Sequence, residues 1–305
     1  MSETAEKPPV TSYIGNALGI ARTLDTYGLN GAAILAEAGV DVNTAPSFDA
    51  RVPGSLVHDI MRRRAPGDID ARFGLKFAKY IKPINYHAFG VMLTSSTTIR
   101  AFCQRFQRYY AYVNTADVIE FDGSGELRYN EFMPPESVDD PFYHLVSESA
   151  WAATMLKMVR SVSTPDFSPQ AVLFTSPRPD DCADYFDDYF RCPIEYGAPY
   201  TALCFLESDL DNALPGGNAE LARHSEQLVF NYLKTFTEVE LVNAARMALF
   251  ELLPRGDFSL SSLAGSLEMP EDDLSTALKS GETSYQQLLG DTRRELAEEY
   301  IVRAD

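Results

Sequence analysis

The stretch Phe250–Ile301 reads FELLPRGDFSLSSLAGSLEMPEDDLSTALKSGETSYQQLLGDTRRELAEEYI. Leu263, Ala264 and Leu267 recur at helical spacing, and Leu274 and Leu278 repeat it a short way on. The two segments, Leu260–Leu267 and Asp272–Leu278, are short and separated by a tight turn, which is the pattern of a helix-turn-helix. With Val242–Leu253 before them and Tyr285–Val302 after them, the chain from Phe236 onward reads as four helices with no strand.

Working toward the N-terminus, Ala219–Lys234 reads as another helix, with Leu221, Leu228, Val229, Tyr232 and Leu233 apolar. Pro215-Gly216-Gly217 punctuates the chain before it and closes the preceding domain. In that domain strands and helices alternate without a strict βαβ rhythm. Ala171–Thr175, Ile194–Tyr196 and Ala202–Leu206 read as strands, and Asp181–Phe190 as a short helix between them. Val118–Asp122 and Glu126–Phe132 flank Gly123-Ser124-Gly125, a β-hairpin signal. Phe142–Ser161 is a long helix, and Ile99–Tyr112 carries Phe102, Phe106, Tyr109 and Tyr110 on one side. Tyr86–Ser95 is rich in aromatic and branched residues with little polar content. Ala71–Tyr80 and Pro53–Arg64 read as helices. Ile14–Ala38 reads as two short helices punctuated by Gly28 and Gly39. The expected fold class is α+β: a mixed α/β domain followed by an all-α helix-turn-helix domain.

The chain has 305 residues, 26 Lys+Arg against 44 Asp+Glu, and a formal charge of −18. Its 45% apolar content supplies ample core material, which excludes a disordered chain. No apolar run is long enough to span a bilayer, so no membrane is expected. The acidity argues against an ordinary nucleic-acid binder, which needs a basic footprint. The four cysteines (Cys103, Cys182, Cys192, Cys204) form no C-x-x-C pair or Cys/His cluster, so neither zinc nor a disulfide framework is expected. The N-terminus lacks a basic segment leading into an apolar one, so no signal peptide is expected and the protein is read as cytoplasmic.

The C-terminal stretch resembles the first helix-turn-helix of AraC/XylS-type transcription regulators. Leu263, Ala264, Leu267, Met269, Leu274 and Leu278 occupy that pattern's apolar positions. Gly281, Thr283-Ser284-Tyr285, Leu288, Arg293-Arg294 and Leu296-Ala297 match the family's next segment, a turn and a linker helix. The runs Tyr86–Phe132 and Ala171–Leu233, with the helical Leu18–Arg63, resemble the arabinose-binding-like sensor domain found in one branch of that family. The resemblance covers about residues 15–302. The polar N-terminus with its Pro-Pro step reads as a disordered tail over 1–13, and the resemblance implies a ligand-sensing domain at 14–217, a linker or dimerisation helix at 218–235 and a partial helix-turn-helix domain at 236–305.

Three departures bear on function. Aligned on its leucines, the second helix of the motif holds Asp272, Thr276 and Ala277 where the family commonly has arginine, and Glu271 and Asp273 add negative charge. The DNA-facing positions by family alignment are Asp272, Ser275, Thr276 and Lys279, of which only Lys279 is cationic. The family's turn glycine is Glu268 and its capping serine is Pro270, so a positive φ and a hydroxyl cap are both lost. The family's second helix-turn-helix is expected to be missing. Residues 236–305 carry 14 Asp+Glu against 6 Lys+Arg, while residues 1–235 carry 30 against 20, so acidity is densest where the family is basic.

The resemblance implies a pocket for a small effector, apolar or carboxylate, in the N-terminal domain. The aromatic-rich segments offer Tyr86, Phe89, Phe106, Tyr109, Tyr110, Tyr112, Trp151 and Met155 as its lining, residues that an ordinary core also needs. The basic residues Arg62-Arg63-Arg64, Arg72, Lys76, Lys79 and Lys82 could hold an anion or form a solvated face. Leu221, Leu228 and Tyr232 are the expected dimer surface, for a homodimer or a pairing with a related regulator. His58, His87, His144 and His224 are scattered, and no nucleophile–base, phosphate-loop or metalloprotease motif is present, so no catalytic residue, metal or cofactor is expected. The expected function is that of an AraC-type regulator that senses a small molecule, binds DNA weakly or not at all, and acts through protein contacts. The alternative is a conventional DNA-binding regulator that lacks its second unit by truncation.

Overall fold

The computed structural model describes residues 10–42, 50–62, 68–115, 117–131, 140–233, 238–267, 269–281 and 283–304. The described residues fall into two compact units, Val10–Glu226 and the chain from Gln227 on.

The first unit opens with strand β1 (Thr11–Tyr13), helices α1 (Gly15–Asp25) and α2 (Gly31–Glu37), strand β2 (Arg51–Pro53), and helices α3 (Leu56–Arg62) and α4 (Phe73–Tyr80). A 3-10 turn at Pro83–Tyr86 leads into α5 (His87–Thr94). Helix α6 (Ile99–Tyr109) is followed by a second 3-10 turn at Tyr110–Tyr112. Then come β3 (Val118–Phe121), β4 (Glu126–Asn130), the long α7 (Pro141–Val162), β5 (Ala171–Phe174), α8 (Ala183–Phe190), β6 (Ile194–Tyr196), β7 (Thr201–Cys204) and α9 (Glu207–Leu210). Helix α10 (Ala219–Leu233) follows, and the division between the units falls inside it.

Local chemistry sets several of these starts. Asn30, Thr98 and Asp140 are N-caps whose side chains accept from Ala33 N, Ala101 N, and Phe142 and Tyr143 N, respectively. Pro141 takes the first position of α7, where its missing N–H costs nothing. In the β3–β4 turn, Asp122 Oδ1 accepts from the backbone N–H of Ser124, Gly125 and Glu126 at 2.9, 3.0 and 2.9 Å, while Gly123 supplies φ 79°.

Five strands form one sheet in the order β3-β4-β7-β5-β6, antiparallel except for the parallel β5–β6 edge pair. Helix α7 lies against β5 and β7, and α6 against β3. Helices α4 and α7 pack closely because Gly74 has no side chain: a Cβ there would fall 2.1 Å from Ser149 Oγ. Lys157 of α7 caps the end of α4 by donating to the carbonyls of Ala78, Lys79 and Ile81, each at 2.7 Å.

The expected tail over 1–13 ends earlier. Thr11–Tyr13 pairs with Arg51–Pro53 as a two-stranded sheet. The Arg51 guanidinium secures it by donating to Thr11 Oγ1 at 2.7 Å and to the Tyr112 carbonyl at 2.9 Å. Residues 1–9 lie outside the described residues.

In the second unit, α11 (Glu238–Leu252) is followed by a 3-10 turn at Leu253–Arg255. Helices α12 (Leu260–Ser266), α13 (Glu271–Ser280) and α14 (Tyr285–Ala304) complete it. All three pack on α11, and α12 packs on α13. Ala245, Ala248, Leu249, Leu263, Ala264, Leu267, Leu274, Ala277, Leu278, Leu288 and Leu289 are buried. Every helix expected from Phe236 on is present, within a few residues of its expected ends. Glu268, the altered turn residue, lies outside the described residues.

Candidate functional site

The aromatic residues of the first unit form a continuous seam. Phe89 of α5 stacks on Tyr112 with ring centroids 5.3 Å and planes 4° apart, and it also meets Tyr86 and Phe106. Phe106 of α6 meets Tyr110 edge-on at 5.0 Å, and Tyr110 meets Tyr129 of β4 at 6.5 Å. Tyr129 in turn lies flat against Trp151 of α7, 5.0 Å away with planes 10° apart. Tyr86, Phe89, Phe106, Tyr110, Tyr112 and Trp151 are therefore linked through rings. Tyr109 and Met155 are buried in the same unit, Met155 one turn beyond Trp151. All eight are core residues. Ring-on-ring packing explains their burial without a ligand.

The polar end of this seam lies outside the residues expected from the sequence. Strand β4 turns Leu127 and Tyr129 to one buried face, and Glu131 follows at the next alternate position. Its Oε1 accepts from Ser147 Oγ at 2.6 Å and from the Tyr143 hydroxyl at 3.1 Å. Tyr143, Ser147 and Trp151 recur every four residues along one face of α7, which brings them to the same place. The Tyr129 hydroxyl donates to Asp117 Oδ2 at 3.2 Å. Burial pushes the Glu131 carboxyl up to about 8, and the nearby Asp117 charge adds to this, while the Ser147 and Tyr143 hydrogen bonds oppose it. Burial also raises the Tyr110, Tyr129 and Tyr143 phenols well above their ordinary range. The strand alternation that continues into Glu131, and the four-residue repeat in α7, are the sequence signals that point to this group.

In the second unit, Asp272, Thr276 and Lys279 are exposed on the outer side of α13 and Ser275 is half-buried. Leu274, Ala277 and Leu278 form its buried side. Thr276 Oγ1 donates back to the Asp272 carbonyl at 2.8 Å. Pro270 caps α13 without a side-chain hydrogen bond, and Glu271, Asp272 and Asp273 fill its first turn. There they complement the positive end of the helix dipole.

The model for the arabinose-binding domain at the N-terminus of AraC transcription regulators matches residues 28–214. The chain belongs to this family. It is an AraC-type regulator with an arabinose-binding-like sensor domain. Comparison with curated protein sequences gives no match. Among solved structures, the transcriptional regulator CdpR from Pseudomonas aeruginosa is similar over 92% of this chain and 84% of its own, at 16% identity and a TM-score of 0.47.

Other expected residues of the AraC-type regulator take structural places. Arg72 donates to Asp70 and lies 4.6 Å over the Tyr185 ring, and Lys76 Nζ sits 3.5 Å from the Tyr27 ring centre. These two members of the basic cluster are thus engaged within the fold. Arg63 and Arg64 lie outside the described residues. His58 packs edge-on to Tyr143, and His87 to Tyr13. The four cysteines are free thiols. Of the residues expected at a dimer surface, Leu221 and Leu228 of α10 are exposed, whereas Tyr232 is buried. Among the described residues no helix is long and apolar enough to cross a membrane, and no group of His, Cys, Asp or Glu could hold a metal ion.

Proposed function

We propose that this AraC-type regulator senses a small molecule in its N-terminal domain and acts mainly through protein contacts, with little affinity for operator DNA. The observation that supports this is the first turn of α13, where Glu271, Asp272 and Asp273 are all exposed. In helix-turn-helix proteins the N-terminal residues of the second helix contact base edges. Here that approach would set three carboxylates beside the phosphates. The same carboxylates favour the free helix through its dipole, so free α13 is stabilised by the charges that repel DNA. As a regulator of transcription the protein works in the cytoplasm.

The partner surface includes Leu221 and Leu228 on α10, which joins the sensor to the second unit. The N-terminal part of α10 is held by the sensor. Glu226 faces Arg105 Nε at 3.3 Å and Arg108 at 3.7 Å, and Asn218 N donates to the Ser95 carbonyl at 2.9 Å. Helix α6, which carries Arg105 and Arg108, also carries Phe102 and Phe106 of the aromatic core, so a shift in that core has a direct path to α10.

A fluorescence-anisotropy titration at low salt, using DNA from upstream of the protein's own gene, tests the DNA claim. Binding no tighter than the non-specific range, about 1–100 μM, is expected. Sub-micromolar, sequence-dependent binding would establish the second reading, a conventional DNA-binding regulator, which the buried Leu263, Leu274 and Leu278 scaffold favours. For the partner surface, Leu221→Asp and Leu228→Asp are expected to lower the native mass in solution. Folded variants that keep the parent mass refute it.

A further inference from the structure

We infer that the sensor domain binds a small organic cation, an ammonium group with an oxygen beside it, between Glu131 at the end of β4 and Trp151 of α7. This rests on the reading that the domain takes a small effector, and it names that effector's chemistry.

The geometry supplies the argument. Glu131 Oε1 is satisfied by Ser147 and Tyr143, but Oε2 is buried without a partner. Trp151 stands one turn beyond Ser147 on the same face of α7, is 6% exposed, and its indole N–H is also buried without a partner. Thr154 Oγ1, on the next turn, is a third such atom. A buried polar group without a partner is costly, so an occupant that satisfies such a cluster gains affinity from it. The indole can only donate and the ionised carboxylate can only accept, so an occupant that meets both offers an acceptor and a donor.

Charge decides its sign. Asp117 and Glu148 both act on Glu131 as like charges. An anion would meet these like charges. An ammonium group donating to Oε2, with a neighbouring oxygen accepting from the indole, satisfies both orphans.

The same geometry couples binding to a proton. The free carboxyl, raised to about 8, is largely protonated at neutral pH, and a bound cation favours its ionised form, so binding releases a proton. The groups facing it are Asp117 ahead of β3, Tyr110 after α6, Tyr129 on β4, and Tyr143 and Glu148 on α7, with His58 and Asp59 of α3 beyond Tyr143. The tyrosines keep their protons throughout this range.

The test is calorimetry on the full chain with three matched probes: 2-amino-1-phenylethanol, its uncharged counterpart 1-phenylethane-1,2-diol, and its anionic counterpart mandelate. The amine is expected to bind at least about tenfold more tightly than either counterpart, with proton release measured in two buffers of different ionisation enthalpy. Glu131→Gln is expected to lose about tenfold or more and to abolish proton release. Trp151→Phe, which keeps the stack on Tyr129, is expected to lose less. Equal or tighter binding of the diol or mandelate overturns the cation assignment and leaves the effector reading standing. An undiminished affinity in Glu131→Gln overturns the placement. If no probe binds, the cation assignment is overturned. If native mass spectra of protein from its own host also show no small molecule, the effector reading falls as well.

Discussion

Glu148 of α7 accepts a hydrogen bond from Thr201 Oγ1 of β7 at 2.8 Å, with both side chains buried. The same carboxylate accepts from Thr175 N at 3.2 Å, from Thr175 Oγ1, and from Ser176 N at 3.3 Å at the end of β5. One charge thus ties the long helix to two neighbouring strands, and four donors depend on it. Glu148→Gln would turn an amide N–H toward a donor. It is expected to cost about 1–3 kcal/mol, with Glu148→Leu costing more because the donors are left unmet. Urea denaturation checks this as a fall in midpoint at unchanged slope.

Glu131 makes stability depend on pH with a definite sign. Its folded value of about 8 lies above its ordinary value of 4.5, so between these limits the native state holds a proton that the unfolded chain has lost. The native state binds more protons, and stability from this group is full below about pH 4.5 and falls as pH rises toward 8. Unfolding midpoints at pH 5, 6.5 and 8 are expected to drop more steeply in the parent than in Glu131→Gln. Parallel profiles would refute the assignment.

His87 sits at φ 45° and ψ −127°, a backbone conformation that suits glycine, and its side chain is exposed. Such positions cost about 1–3 kcal/mol in other residues. His87→Gly is expected to raise stability by about 1 kcal/mol after glycine's own entropy cost. Thermal unfolding would register this as a higher midpoint, and a lower one would show that the His87–Tyr13 ring contact outweighs the strain.

Glu226→Gln removes the charge shared by Arg105 and Arg108 while leaving Asn218, whose Oδ1 accepts from Leu221 N at 2.9 Å, to cap α10. The expected loss is about 1 kcal/mol or less, because the arginines are only partly buried. Hydrogen exchange gives the sharper readout. Amides of Ala222–Glu226 are expected to exchange faster, with the α7 and β5 amides unchanged.

The parts legible in the sequence are those decided within a few residues. Helices α11 to α14 follow from leucine and alanine spacing, which selects one face whatever it packs against. The β3–β4 turn follows from Gly123 and Gly125 beside an aspartate that can accept several backbone N–H groups. Tyr86–Ser95 is harder to read because a segment apolar all round has no period. It is a 3-10 turn and a buried helix. The strands at Thr11–Tyr13 and Arg51–Pro53 are not legible because each is three residues long and exists only by pairing with a distant partner.

By itself the sequence determined the order of the longer elements, the family resemblance and the acidity of α13, all carried by residue type and spacing. Only the tertiary structure decided which carboxylates are surface charges and which are enclosed within the fold. Glu131 and Glu148 look like any other glutamates along the chain. Their difference from Glu271 arises because β4 and α7 enclose them, and desolvation depends on neighbours that local spacing does not reveal.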